Sequence, residues 1–174
     1  KLTTRRPGLI PRANSIAARA LSPRDYIDRS YRVFASPRRV RFREMEYAVA
    51  REHLPYVLTE VRSYLARSGE LIGFPIEVRF AAADDIWLST AYGRDTAYIA
   101  VHQYHRREHE AYFRAVEAIA AGVDGRPHWG KVHYRDAESL SASYPKHGPF
   151  VALRDRLDPQ RVFGNAYLER VLGT

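Results

Sequence analysis

The sequence predicts an α+β domain, a mostly antiparallel sheet flanked by helices. Three observations carry this expectation. Apolar and polar residues alternate with period two in several short stretches, two longer stretches carry apolar residues at helical spacing, and strand and helix do not alternate regularly. The 174 residues are enough for one domain with a sizeable core.

The elements follow in order. Pro7, Gly8 and Pro11 interrupt the start, and a short helix is expected from about Asn14 to Leu21, stopping before Pro23. From Val40 to Val49 the alternation is that of a half-buried strand, with Arg39, Arg41 and Arg43 alternating with Val40 and Phe42. Over 51–67, Leu54, Val57, Leu58, Val61 and Leu65 share a helical stripe; Pro55 sits in the tolerated first turn and Gly69 marks the stop. Ile76, Val78 and Phe80 share one face of a strand, and Glu77 and Arg79 the other. Thr96 to Tyr104 is a further strand, rich in aromatic and β-branched residues. Tyr112, Phe113, Val116, Ile119 and Ala120 give the inward face of a helix over about 107–121. Gly125 to Lys131 breaks regular structure, and short helices are expected near 136–143 and 149–157, the second ended by Asp158-Pro159.

Composition sets limits on function. The chain has no cysteine, so a disulfide framework, a thiolate zinc site and a cysteine nucleophile are ruled out. That absence fits a reducing compartment, and a cytoplasmic location is expected. No uncharged apolar run approaches the ~20 residues of a membrane span, and no stretch reads as a signal peptide. The opening at Lys1 rather than a methionine gives the expectation of a piece of something longer. Net charge is +8, but residues 1–43 hold 12 basic against 2 acidic residues, so the remainder is slightly acidic. The excess lies in Arg5, Arg6, Arg12, Arg19, Arg24, Arg29, Arg32, Arg38, Arg39, Arg41 and Arg43. Such a face suits a polyanion or an acidic partner, yet no nucleic-acid-binding motif accompanies it, and no nucleic acid is expected.

Three groups of residues are candidates for chemistry. Glu77 and Arg79, two apart on a strand, aim a carboxylate and a guanidinium the same way, either at one ligand or as a solvated ion pair. The segment Arg126 to His133, RPHWGKVH, clusters histidine, tryptophan and lysine in a glycine-flanked turn, either a ligand loop or a loop whose Trp129 plugs the core. Lys131 is one of only three lysines among 28 basic residues, and its compact ammonium differs from a guanidinium in hydration and reach. His105-Arg106-Arg107-Glu108-His109 satisfies H-x-x-E-H, a zinc-hydrolase pattern. Two adjacent arginines and the strand-to-helix position argue instead for solvated helix-start residues, so no metal is expected. No Walker loop, G-x-S-x-G or G-x-G-x-x-G occurs, so the chain holds no familiar phosphate cradle.

Several ordered motifs together carry a resemblance. Glu77-Val78-Arg79-Phe80, Ala83-Asp84-Asp85, Leu88-Ser89 and Arg94-Asp95, then G-R-P-H-W-G-K-x-H at 125–133 and the run from Leu157 to Glu169, are similar to the C-terminal domain of FAD-linked aldonolactone oxidases. These include L-gulono-1,4-lactone and D-arabinono-1,4-lactone oxidases, with alditol oxidases as relatives, all flavoproteins of the vanillyl-alcohol-oxidase class. The resemblance covers about residues 25–173.

The resemblance implies that residues 1–174 are the substrate or cap domain of a larger FAD-dependent oxidoreductase. The FAD-binding domain would be N-terminal and absent from this chain, and the piece alone would be inactive. The implied reaction oxidises a sugar-derived alcohol, an aldono-1,4-lactone ahead of an alditol, by hydride transfer to flavin; a non-catalytic basic binding module is the contrasting reading. Implied catalytic residues are Glu77, Arg79 and Lys131. Substrate contacts fall to Glu77, Lys131, His102 and Trp129, and flavin contacts to Arg79, His128 and Lys131. The partners would be the small lactone or polyol and the protein's own FAD domain, with the electron acceptor left open. Some relatives associate peripherally with membranes. Alditol oxidases carry a small hydroxyl residue near the position of His102 and Gln103, which leans the expectation towards a lactone.

Overall fold

The computed structural model describes residues 6–23, 25–35 and 40–173. Of the basic opening, Lys1, Arg5, Arg24, Arg38 and Arg39 lie outside the described residues. A 3₁₀ turn, Pro7–Leu9, leads into α1 (Ile10–Ala20), which starts earlier than its pattern implied because Pro11 is accommodated in the first turn. A five-residue helix, α2 (Ser30–Phe34), was not expected from the sequence.

β1 (Phe42–Ala50) and α3 (Leu54–Ser68) follow, α3 stopping at Gly69, whose φ of 69° is the left-handed conformation a glycine adopts without strain. Next come β2 (Glu77–Ala81), β3 (Thr96–Tyr104) and α4 (Glu110–Ala121). The remaining elements are β4 (Arg126–Pro127), α5 (Ala137–Ser143), α6 (His147–Leu157) and α7 (Ala166–Leu172). The four strands form one sheet in the order β2-β3-β1-β4, every neighbouring pair antiparallel, as the α+β expectation required.

The core lies on one face of this sheet. Met45, Tyr47 and Val49 from β1 and Ala97, Ile99 and Val101 from β3 pack with Val57 and Val61 of α3 and with Tyr112, Phe113 and Val116 of α4. Full burial of each such large side chain contributes roughly 1.5–3 kcal/mol. The two helices are therefore held by their apolar stripes rather than by intrinsic propensity. A second, smaller cluster of Leu140, Tyr144, Val171 and Leu172 joins α5 to α7, with Trp129 and Phe150 packed against it.

Residues 125–131, expected to be irregular, begin as strand: Arg126 and Pro127 pair with Ala48 and Tyr47 at the sheet edge, where proline is tolerated. Gly125 is required by close approach, since a Cβ there would stand 2.6 Å from the backbone oxygen of Ala120. Among the described residues, no helix is long and apolar enough to cross a membrane.

Candidate active site

The opposite face of the sheet is polar. In register across the strands, Glu46 faces Ala100 and Ala100 faces Glu77; Ala48 faces Tyr98 and Tyr98 faces Arg79; Glu44 faces His102. Period-two geometry puts Glu44, Glu46, His102, Tyr98, Glu77 and Arg79 on this one side, because their neighbours Met45, Tyr47, Val101 and Ile99 are committed to the core. Ala100 is the small residue in the middle, leaving the space between Glu46 and Glu77 open for the long side chains beside it.

The turn after β4 brings in the remaining cation. His128 donates its backbone N–H to Glu46 O (2.9 Å) and Val132 to Glu44 O (3.0 Å), so residues 128–132 ride along β1. Lys131 thereby stands over the two carboxylates, its Nζ donating to Glu44 Oε1 at 2.6 Å and Glu46 Oε2 at 2.7 Å. The same Glu46 oxygen accepts from Arg79, and Arg79 Nε lies 3.6 Å from Glu77 Oε1. His102 Nε2 lies 3.2 Å from Glu44 Oε1. A continuous ladder results, Glu77–Arg79–Glu46–Lys131–Glu44–His102.

Its exposure is graded. Glu46 is buried, its side chain 2% exposed, whereas Arg79 is 51% exposed. Burial pushes the Glu44 carboxyl up, but the hydrogen bond and charge of Lys131, then His102, outweigh it and hold the group below its ordinary value. An ammonium has three N–H donors. Two go to Glu44 and Glu46, which leaves Lys131 one for a ligand oxygen.

A cleft of about 360 Å³ opens over the Arg79 end of this ladder, lined by Glu46, Arg79, Phe80, Thr90, Tyr98 and His128. The structure thus joins Glu77, Arg79 and Lys131 in one ladder; of these, Arg79 lines the cleft together with His128, and Glu77 and Lys131 stand beside it. His102 reaches the ladder from behind, packed among Phe42 (5.0 Å between ring centres) and Phe74 (5.8 Å), and meets Glu44 rather than the cleft. Trp129 faces the other way, donating from Nε1 to Leu88 O (3.0 Å) and lining an apolar groove of about 220 Å³ with Phe150 and Tyr167. Gln103 turns back on its own strand, accepting from Tyr104 N.

Glu44 and Glu46 are the site residues that sequence reasoning missed. Their signal was present: the run Glu44-Met45-Glu46-Tyr47 is a carboxylate at every second position of a strand whose other face is apolar.

The zinc-like segment makes no such arrangement. His105 lies in the turn after β3 and His109 just before α4, so the two histidines do not share a helix face. Glu108 instead accepts from the backbone N–H groups of His109 and Glu110, both at 2.8 Å, starting the helix. Among the described residues, no group of three or more His, Asp or Glu is placed to hold a metal ion.

His133 lies just beyond Lys131, and burial, followed by the charges of Arg170 and Arg135, pushes its pKa down from 6.5 to about 4. The unfolded chain therefore binds a proton in a window where the folded one does not, so this contribution to stability is complete above pH 6.5 and lost as the pH falls towards 4. The thermal midpoint is expected to drop across that window and His133→Gln to flatten the drop, as scanning fluorimetry at stepped pH would read.

The family described as D-arabinono-1,4-lactone oxidase matches residues 1–171. An L-gulono-1,4-lactone dehydrogenase of Mycobacterium tuberculosis is 54% identical over 167 residues, 96% of this chain and 39% of that protein. The L-gulonolactone oxidase of Bos taurus is 34% identical over 147 residues, 82% of this chain and 33% of that protein. An alditol oxidase of Streptomyces is 39% identical over 99 residues, covering 55% of this chain and 23% of that protein. The chain thus spans well under half the length of the relatives it matches. With a match across nearly its whole length, the chain belongs to the D-arabinono-1,4-lactone oxidase family.

Proposed function

We propose that this chain is the substrate-binding part of a longer FAD-dependent oxidoreductase that oxidises an aldono-1,4-lactone. The observation that carries the reading is the meeting of Arg79 and Lys131, 52 positions apart in sequence, on one oxygen of Glu46 beside an open cleft. The names of the relatives support the substrate class.

The residues present fit one edge of a flavin. Arg79 is a half-exposed guanidinium at the cleft, beside Tyr98 and Phe80, and shares a Glu46 oxygen with the Lys131 ammonium. The chain carries no glycine-rich phosphate loop, so in this reading the rest of the cofactor is held by residues outside it.

FAD, when bound, supplies the two-electron acceptor for the carbinol hydrogen. This chain's own groups do the rest. The free N–H of Lys131 binds a ligand oxygen, and the partly exposed Glu77 carboxylate accepts the hydrogen bond, then the proton, of the reacting hydroxyl. Arg79 places positive charge where negative charge develops. Glu46 holds both cations in place before a ligand arrives, so neither must reorganise during the reaction.

The test is anaerobic bleaching of the flavin in the full-length protein by L-gulono-1,4-lactone, D-arabinono-1,4-lactone and xylitol. Rapid bleaching by a lactone, with xylitol at least tenfold slower (about 1.4 kcal/mol of discrimination), is the expected result. Faster reduction by xylitol would replace the lactone with a polyol, and no bleaching by any of the three would defeat the reading.

A further inference from the structure

Lys131 owes its place to the turn that carries it, and that turn is tied to the C-terminal helix. Tyr167, in the first turn of α7, donates its hydroxyl hydrogen to Trp129 O at 2.5 Å. The Tyr167 hydroxyl oxygen also lies 2.9 Å from His133 Nε2. A carbonyl only accepts, so the single hydrogen of Tyr167 is spent on Trp129, and Tyr167 must accept from His133. His133 is therefore the Nε2–H tautomer, with its buried Nδ1 as an acceptor that finds no partner among the described residues.

Burial and the neighbouring Arg170 and Arg135 keep the ring uncharged at neutral pH. α7 is itself anchored, by Asn165 accepting from Leu168 N at 3.0 Å and by Val171 and Leu172 in the smaller core. The Trp129 side chain is fixed independently through Leu88 O. The Tyr167 bond therefore holds the carbonyl side of the Trp129–Gly130 peptide before Lys131, while the N–H side of that peptide donates to His128 Nδ1 at 3.1 Å.

We propose that Tyr167 and His133 are positioning residues for Lys131: a two-bond relay, His133 to Tyr167 to the Trp129 carbonyl, holds the turn so that the ammonium rests between Glu44 and Glu46. The relay itself stands on the geometry; its effect on rate rests on the function proposed above.

Two readouts in the full-length protein separate these. Long-range ¹H–¹⁵N spectra of ¹⁵N-histidine protein at pH 7, with His133→Gln to assign the signal, report the tautomer without any turnover; Nε2–H is expected. In stopped-flow reduction by L-gulono-1,4-lactone, Tyr167→Phe keeps the ring but loses the bond, and is expected to slow flavin reduction about tenfold through misplacement of Lys131. The lactone dissociation constant should move less than twofold. His133→Gln, which restores a donor near Nε2, should keep at least half of the wild-type rate. Leu168→Ala, which loosens the same helix, should leave the rate within twofold even where its thermal midpoint falls. A wild-type proton on Nδ1, an unchanged rate in Tyr167→Phe, or an equal loss in Leu168→Ala overturns the relay. A flavin that no aldonolactone reduces sinks the functional reading instead, and the tautomer then decides the relay alone.

Discussion

Lys131→Met in the full-length protein is expected to lower the rate of anaerobic flavin reduction by an aldonolactone on the order of a hundredfold or more, the loss that follows removal of one preorganised donor worth ~2.7–4 kcal/mol in the transition state. The expectation comes from where the ammonium stands. Glu44 and Glu46 take two of its hydrogens at 2.6 and 2.7 Å, so the direction of the third is fixed before ligand binds. Methionine fills the same volume without a donor and leaves the two carboxylates facing each other. Lys131→Arg should recover little, because a planar fork cannot sit as a point charge between two oxygens this close. Arg79→Ala should cost a comparable factor for a different reason, the loss of positive charge at the cleft mouth. Single-turnover kinetics check this directly: reduction within threefold of wild type in Lys131→Met would remove that residue from the chemistry.

How much of this was legible before the structure depends on length and on who shares a face. α3 and α4 were readable because 15 and 12 residues are enough turns for a stripe such as Val57, Val61 or Tyr112, Phe113, Val116 to declare itself. α2 and α7, of 5 and 7 residues, are too short to show a period. α7 exists because Asn165 caps it and Val171 and Leu172 find Leu140 and Tyr144, contacts no local pattern announces. β4 was hidden because two residues pair only where β1 already offers an edge.

The candidate site was half legible. Glu77, Arg79 and Lys131 stood out through their motifs. Glu44 and Glu46 did not, because β1 changes character midway. Leading into it the even positions are apolar (Val40, Phe42) and the odd ones basic (Arg41, Arg43); then Glu44 and Glu46 take even positions while the odd ones, Met45, Tyr47 and Val49, are apolar. A carboxylate on a half-buried strand reads as a solvent-facing one. Only cations arriving from β2, 33 positions away, and from the β4 turn, 85 positions away, reveal that Glu46 is covered.

That covering makes Glu46 the most exposed point of the fold to mutation. Glu46→Gln keeps the shape but deletes the charge that two cations share, and leaves Arg79 and Lys131 to repel across the gap. Removing one partner from a buried ion pair costs roughly 3–5 kcal/mol. Arg79, half in water, recovers part of that by hydration, so about 3 kcal/mol is expected, near the lower end of the range. The thermal midpoint of the full-length protein should fall accordingly. The double variant Glu46→Gln/Lys131→Met separates the pair from the site around it, since deleting the orphaned cation relieves the repulsion. It should be more stable than the sum of the single losses predicts, by roughly 1–3 kcal/mol of coupling. Strict additivity would mean that Glu46 does not hold Lys131, and the placing of that ammonium would then have to run through Glu44, which among the described residues is partnered by Lys131 and the buried ring of His102.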